Sequence, residues 1–181
     1  MSRRTLRAHA VAVWLASLLV MVGAAPAQTT WYVDDDAPND PGPGDPMVSD
    51  PGENGSADHP FDAIQEGISA ASNGDTVLVL DGTYTGNGNR DIDFAGRLIT
   101  VRSDSGPAAC IIDCQATQTD PHRGFHFHSQ ETADAVLDGF TITGGYIATW
   151  GGGAGVLCQN TSGPTIADCH ITGNITQEQW G

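Results

Sequence analysis

The sequence contains no lysine, and all seven of its basic residues are arginines. Three of these, Arg3, Arg4 and Arg7, stand at the start, so residues 28–181 hold four arginines against 22 acids, a net charge of −18. A surface this acidic repels nucleic acid and anionic lipid, which are held by clustered Lys and Arg. Nucleic acid is therefore excluded as a partner. An acidic polysaccharide is compatible only if cations such as Ca²⁺ bridge the two sets of carboxylates. Aromatic residues are scarce at 7%, and charges are few outside one stretch, whereas glycine numbers 23. That profile suits a turn-rich β protein rather than a helical one. Cysteine appears four times, as Cys110-x3-Cys114 and Cys158-x10-Cys169, with no C-x2-C zinc pattern. Long apolar runs are missing too: the longest, Ala10 to Val22, has thirteen residues, short of the roughly 20 that span a bilayer.

That run belongs to an export signal. Arg3, Arg4 and Arg7 form a positive leader, and Ala25 and Ala27 stand in an A-x-A arrangement suited to cleavage before Gln28. Residues 1–27 are predicted to be removed, leaving a secreted or cell-surface protein with no membrane span. In that oxidising compartment the cysteines are free to form disulfides. Residues 28–58 form an Asp/Pro/Gly-rich leader, with eight acids and five of the ten prolines falling within 34–58. This composition cannot bury enough apolar surface to fold alone, so an extended, solvated course is expected. Trp31-Tyr32-Val33 before it reads as a short strand docking on the body.

Residues 59–181 carry the fold. Pro60 suits a first helical position, and Phe61, Ile64, Ile68 and Ala71 recur at steps of three and four. A helix over Pro60–Ser72, with Asp62 in its first turn and Asn73-Gly74 as a left-handed stop, is predicted. Short β-branched runs follow, each bounded by Gly, Asn, Asp or Pro: Thr76–Leu80, Leu98–Val101, Cys110–Ile112, Gly124–His128, Val136-Leu137, Phe140–Ile142, Val156–Cys158 and Cys169–Ile171. They repeat. Leu137-Asp-Gly-Phe140-Thr-Ile142-Thr-Gly aligns with Ile166-Ala-Asp-Cys169-His-Ile171-Thr-Gly at an offset of 29. A fainter copy, Ile99-Thr-Val101, lies 41 residues before Phe140-Thr-Ile142. A period of about 20–50 residues containing several short strands marks a stacked solenoid. Alternation turns Phe140, Ile142, Cys169 and Ile171 inward and Thr141 and His170 outward. Cys169 then holds a core position, while Cys110 and Cys114 share a turn within bridging reach.

The segments Tyr32-Val33-Asp34-Asp35-Asp36, Pro60 to Ile68, Gly74 to Tyr84, Gly151-Gly152-Gly153 and Pro164 to Cys169 resemble the right-handed parallel β-helix superfamily that includes pectate and pectin lyases. More closely, they are similar to exported bacterial β-helix-repeat proteins. The resemblance implies an all-β solenoid, a right-handed parallel β-helix with an N-terminal capping α-helix. It implies a structural, surface or carbohydrate-binding role, with polysaccharide or cell-surface components as partners. Lyases of the superfamily use Arg or Lys as base with Ca²⁺ held by acids, and its hydrolases use paired aspartates. No such motif stands in order here, and Asp75, Asp81, Asp134 and Asp138 read as turn residues, while Arg97 and Arg102 flank a strand. The alternatives are part of a polysaccharide lyase or hydrolase and a Ca²⁺-dependent binding module. Roughly three to four coils are present. A new coil starts at residue 164 without a polar end cap, so a longer product is expected, with coverage by another chain as the alternative.

Three sets of residues are candidates for chemistry. Asp34, Asp35, Asp36, Asp40 and Asp45 are hard oxygen ligands suited to Ca²⁺, though no Gly falls at the EF-hand sixth position. His126 and His128 share one face of a strand whose other face is Phe125 and Phe127, either as metal ligands, with His122 and His170 near, or as solvated side chains. Tyr84, Tyr146 and Trp150 are candidates for stacking on sugar rings, Trp150 from a glycine-rich loop.

Overall fold

In a computed structural model, residues 27–36, 50–148 and 152–177 are described. The described residues are mostly β with one helix. The strands are β1 (Thr30–Val33), β2 (Thr76–Val79), β3 (Gly82–Tyr84), β4 (Thr100–Ser103), β5 (Cys110–Asp113), β6 (Phe125–Phe127), β7 (Val136–Asp138), β8 (Thr141–Thr143), β9 (Tyr146–Ile147), β10 (Val156–Cys158), β11 (Thr165–Ala167), β12 (His170–Ile171) and β13 (Ile175–Thr176). The helix is α1 (Ile64–Ala70).

Among the described residues four sheets form, in the orders β1-β2-β4-β7-β11, β12-β8-β5-β3, β10-β6 and β13-β9. Every strand pair within them is parallel. Parallel neighbours cannot be joined by a tight hairpin, so the chain travels through the other sheets before it returns. The offset of 29 is realised as register: Leu137 pairs with Ile166, Ile142 with Ile171 and Tyr146 with Ile175. The tight turns match as well, since Gly139 and Asp168, also 29 apart, are both left-handed at φ 84° and 44°. A side chain at Gly139 would meet Ser103 Oγ at 2.3 Å, so its place admits only glycine without rearrangement.

The fainter copy pairs differently. Val101 lies beside Leu137, not Ile142, because β4 joins the sheet of β7. Two residues join β7 to β8, whereas Asp104–Ala109 intervene between β4 and β5. That insertion displaces the spacing on which the alignment relied.

Alternation builds the core. Val77, Val79, Val101, Ile112, Phe125, Phe127, Leu137, Phe140 and Ile142 are fully buried. Phe94 and Phe127 rings lie 4.7 Å apart and Phe125 and Phe140 6.5 Å apart. Each such ring contributes about 1.5–3 kcal/mol by leaving water. The last strands are the least covered, with Ile166, Ile171 and Ile175 exposed by 39%, 47% and 55%. Ile171 is thus not the buried core residue its alternation predicts, because no further strand lies over β12 among the described residues.

The helix is shorter than the predicted Pro60–Ser72. Phe61 continues the ladder of β1, its N–H donating to Tyr32 O and its carbonyl accepting from Asp34 N, so helical geometry starts only after Ala63. At the other end Ala71 is already extended, and the left-handed Gly74 donates to Leu98 O in a later turn. Buried Ile64, Gly67 and Ile68 face the core. Side chains from the next pass serve both ends: Asn89 Oδ1 accepts from Ile64 N at 2.9 Å, and Arg97 donates to the Ala71 and Ser69 carbonyls. Residues 50–58 of the acidic leader are turned rather than extended. Tyr32 N donates to Gly55 O, which holds residues 50–61 against β1.

All four cysteines are free thiols. Cys110 starts β5 and Cys114 follows its end, both buried, so a strand of about 13 Å separates them, beyond the reach of a disulfide. Cys169 packs half-buried against the core, as its alignment with Phe140 requires.

Candidate functional site

The histidine face is the most defined polar constellation. Phe125 and Phe127 are buried, so the pleat turns His126 and His128 outward, their rings 4.3 Å apart. Ile92 bridges Phe125 in parallel, which places Asp93 beside His126. His128 Nε2 lies 3.1 Å from Asp93 Oδ2. Asp93 itself is clasped: Gln65 on α1 bonds both its backbone N–H and carbonyl, and Ala95 N donates to its Oδ1 at 2.7 Å. His126 Nε2 is buried without a hydrogen-bond partner. Burial, His128 and Arg123 hold the His126 imidazole below its ordinary pKa.

His122 and His170 do not join this pair. His122 is fixed between Asp91 Oδ2 at 2.5 Å and Asp120 Oδ1 at 3.1 Å, and Arg90 reaches the same Asp120 at 3.6 Å. His170 sits on β12 in another sheet. Asp91 and Asp93 escaped the sequence reading. Their alternation with Ile92 and Phe94 mirrors that of the histidines, but only the parallel register brings the two strings together.

A second feature is an open groove of about 830 Å³ along the turns that join the two largest sheets. The six-residue Asp104–Ala109 turn stands beside the tight turns of the next two passes and walls it off. Arg102, Asp104, Asp138, Asp168 and His170 line it. Arg102 and Asp138 are direct cross-strand partners on β4 and β7. Such a lining offers carboxylate acceptors and a guanidinium donor to a hydroxyl-rich ligand.

Among the described residues, two groups of three acids bring ligand oxygens within 4.8 Å of one another. Asp34, Asp35 and Asp36 form one, and Asp40 and Asp45 lie outside the described residues. Asp35 Oδ2 accepts from Thr83 N at 2.8 Å, so this turn ties β1 to β3. Burial raises the Asp34 carboxyl above its ordinary value. The other group, Glu53, Asp62 and Glu66, had no sequence signal because a helix residue, a residue two positions ahead of the helix and a leader residue converge only in the fold. Asp62 is 2% exposed. Burial first, then a hydrogen bond with Asp62 and the charge of Glu53, push Glu66 from 4.5 to about 7. Three such carboxylates either share protons or take a hard cation.

Other acids hold structure. Asp75 accepts from Thr29 N, Trp31 Nε1 and Ser72 N, which depresses its pKa and fastens the first strand. Glu131, 1% exposed, accepts from Gly96 N, Ser129 N and Ser162 Oγ, joining three passes of the chain.

No known protein family, curated protein or solved structure matches the chain. Tyr84 is no sugar platform: it is fully buried, and its hydroxyl donates to Leu80 O at 3.0 Å. Tyr146, on β9, is partly buried, and its hydroxyl bonds Gln177 Oε1. Trp150 lies outside the described residues. Burial pushes the Cys114 thiol up to about 12 and raises Cys110 further, so neither is a thiolate nucleophile at neutral pH.

Proposed function

We propose that this chain forms coils of a right-handed parallel β-helix in an exported protein, closed at one end by α1, and that it serves as a surface element holding carbohydrate along its outer groove. The observation that carries this is the all-parallel pairing of strands from successive passes, three pairs of which share the 29-residue offset. Right-handedness follows from the twist of L-amino-acid strands, which favours right-handed crossovers in about 98% of cases. The capping role rests on Ile64, Gly67 and Ile68, which are buried beside β1 at the sheet edge. An uncovered edge there would leave apolar core and unpaired backbone open to association. Export rests on the basic start, short apolar run and A-x-A of residues 1–27.

Carbohydrate is favoured by the groove. Its carboxylates repel phosphate and uronate, while its carboxylates and guanidinium match paired hydroxyls. The test is retention of the secreted protein on immobilised polysaccharides, with Ca²⁺ and with chelator. Retention on a neutral polysaccharide that is weakened by Arg102→Ala and Asp138→Asn is the expected result. Absence of retention on every polysaccharide refutes the binding role. Release of unsaturated uronides or new reducing ends would favour the lyase or hydrolase reading, for which the aspartates of the groove are the motivating observation.

A further inference from the structure

We propose that Asp93, His126 and His128 form a binding site for a divalent transition-metal ion of the zinc class on the outer face of β6. The donor set decides the class of ion. Two imidazoles and one carboxylate suit Zn²⁺, Co²⁺, Ni²⁺ or Cu²⁺, whereas Ca²⁺ and Mg²⁺ seek oxygen alone. The site is independent of any carbohydrate role.

Two of the ligands already meet in a hydrogen bond, which an ion between them would replace. Asp93 Oδ2 and His128 Nε2 are 3.1 Å apart, close to the roughly 3.3 Å edge between two tetrahedral ligands each about 2.0–2.1 Å from zinc. The third is adjacent. His126 stands beside Asp93 across the parallel register, and its ring centre is 4.3 Å from that of His128. Its Nε2 is buried without a partner, a cost that metal ligation removes. The ligand atoms of the three residues are not gathered within 4.8 Å of one another in the structure, so ligation requires the His126 ring to turn toward Asp93 Oδ2 and His128 Nε2.

The support around these ligands is built in. Gln65 pins the Asp93 backbone at both N–H and C=O, and Ala95 N occupies Oδ1, leaving Oδ2 for the ion. Outer contacts of this kind orient metal ligands and raise affinity. Asp91 lies two residues from Asp93 and adds negative charge nearby, while His122 is spoken for by Asp91 and Asp120.

The test is titration of the purified secreted chain with Co²⁺ and then Zn²⁺, read by visible absorption and calorimetry. The expected result is one saturable site with tetrahedral cobalt bands, no thiolate-to-cobalt charge transfer, and displacement by Zn²⁺. Asp93→Asn and His128→Gln each weaken binding by at least about tenfold. Circular dichroism shows whether each variant is folded, and Glu66→Gln, which alters a separate acidic cluster, leaves the affinity unchanged. Absence of saturable binding at millimolar metal overturns the site. So does a thiolate band, or wild-type affinity in a folded His126→Gln/His128→Gln double variant.

Discussion

Replacing Glu66 by glutamine is expected to stabilise the protein in alkaline solution and to do almost nothing in acid. In the folded chain burial, Asp62 and Glu53 lift the Glu66 carboxyl from 4.5 to about 7. The folded state therefore holds this proton more tightly than the unfolded state does. Stability linked to it is fully present below pH 4.5 and is lost as pH rises through 7. At about 1.36 kcal/mol per pH unit the ceiling is roughly 3.4 kcal/mol. Glu66 is only partly buried, so screening by water reduces this to about 1–2 kcal/mol. Glutamine keeps the shape, carries no charge and still donates to Asp62. Urea unfolding of wild type and Glu66→Gln, followed by circular dichroism from pH 5 to 8.5, measures the difference, and the histidines cancel because both proteins contain them. A chelator is kept present so that Ca²⁺ does not neutralise the same carboxylates. A stability difference that is flat across this range, or a variant less stable than wild type at pH 8.5, refutes the reasoning.

Asp75→Ala removes the acceptor for three donors and should cost about 2–4 kcal/mol, measured as a lowered urea midpoint. Because the Asp75 pKa is depressed, its contribution is present above the unfolded carboxylate pKa and disappears as pH falls through the lower folded value, so Asp75→Ala and wild type converge in strong acid. Glu131→Ala leaves two backbone N–H groups and the Ser162 hydroxyl without their acceptor, for an expected loss of about 3 kcal/mol; a loss under 1 kcal/mol would show that water replaces the carboxylate. Ile64→Asp places a carboxylate in a fully buried site beneath α1 and should make the protein insoluble, whereas a soluble, cooperatively folding variant would remove the capping role from the helix. Ile171→Lys on the exposed β12 edge should reduce concentration-dependent light scattering, and unchanged scattering would locate self-association elsewhere.

The alternation in Phe140-Thr-Ile142 and Phe125-His-Phe127-His128 was enough to assign inward and outward faces, because side-chain direction in a strand is a local property. The 29-residue offset was likewise legible, and it reappears as the pairing of Leu137 with Ile166. Short strands of two or three residues were harder. β3, β9, β11 and β13 are absent from the predicted strands, although Ile166 of β11 falls in the aligned repeat, because neighbouring passes rather than their own β propensity hold them in place. The helix was found but overextended, since Phe61 has a helical spacing and yet finds a better partner in the β1 backbone.

By itself the sequence determined what is local or additive: the acidic charge, the basic and apolar start, the period of the repeat, and which residues of each strand face inward. Tertiary structure alone decided which strand lies beside which. The Asp104–Ala109 insertion moved Val101 beside Leu137 and opened the groove. Parallel register set Asp93 next to His126, and folding of the leader brought Glu53 to Asp62 and Glu66. Parallel partners lie some thirty residues apart, so their meeting depends on the length of every intervening turn, which no local pattern encodes.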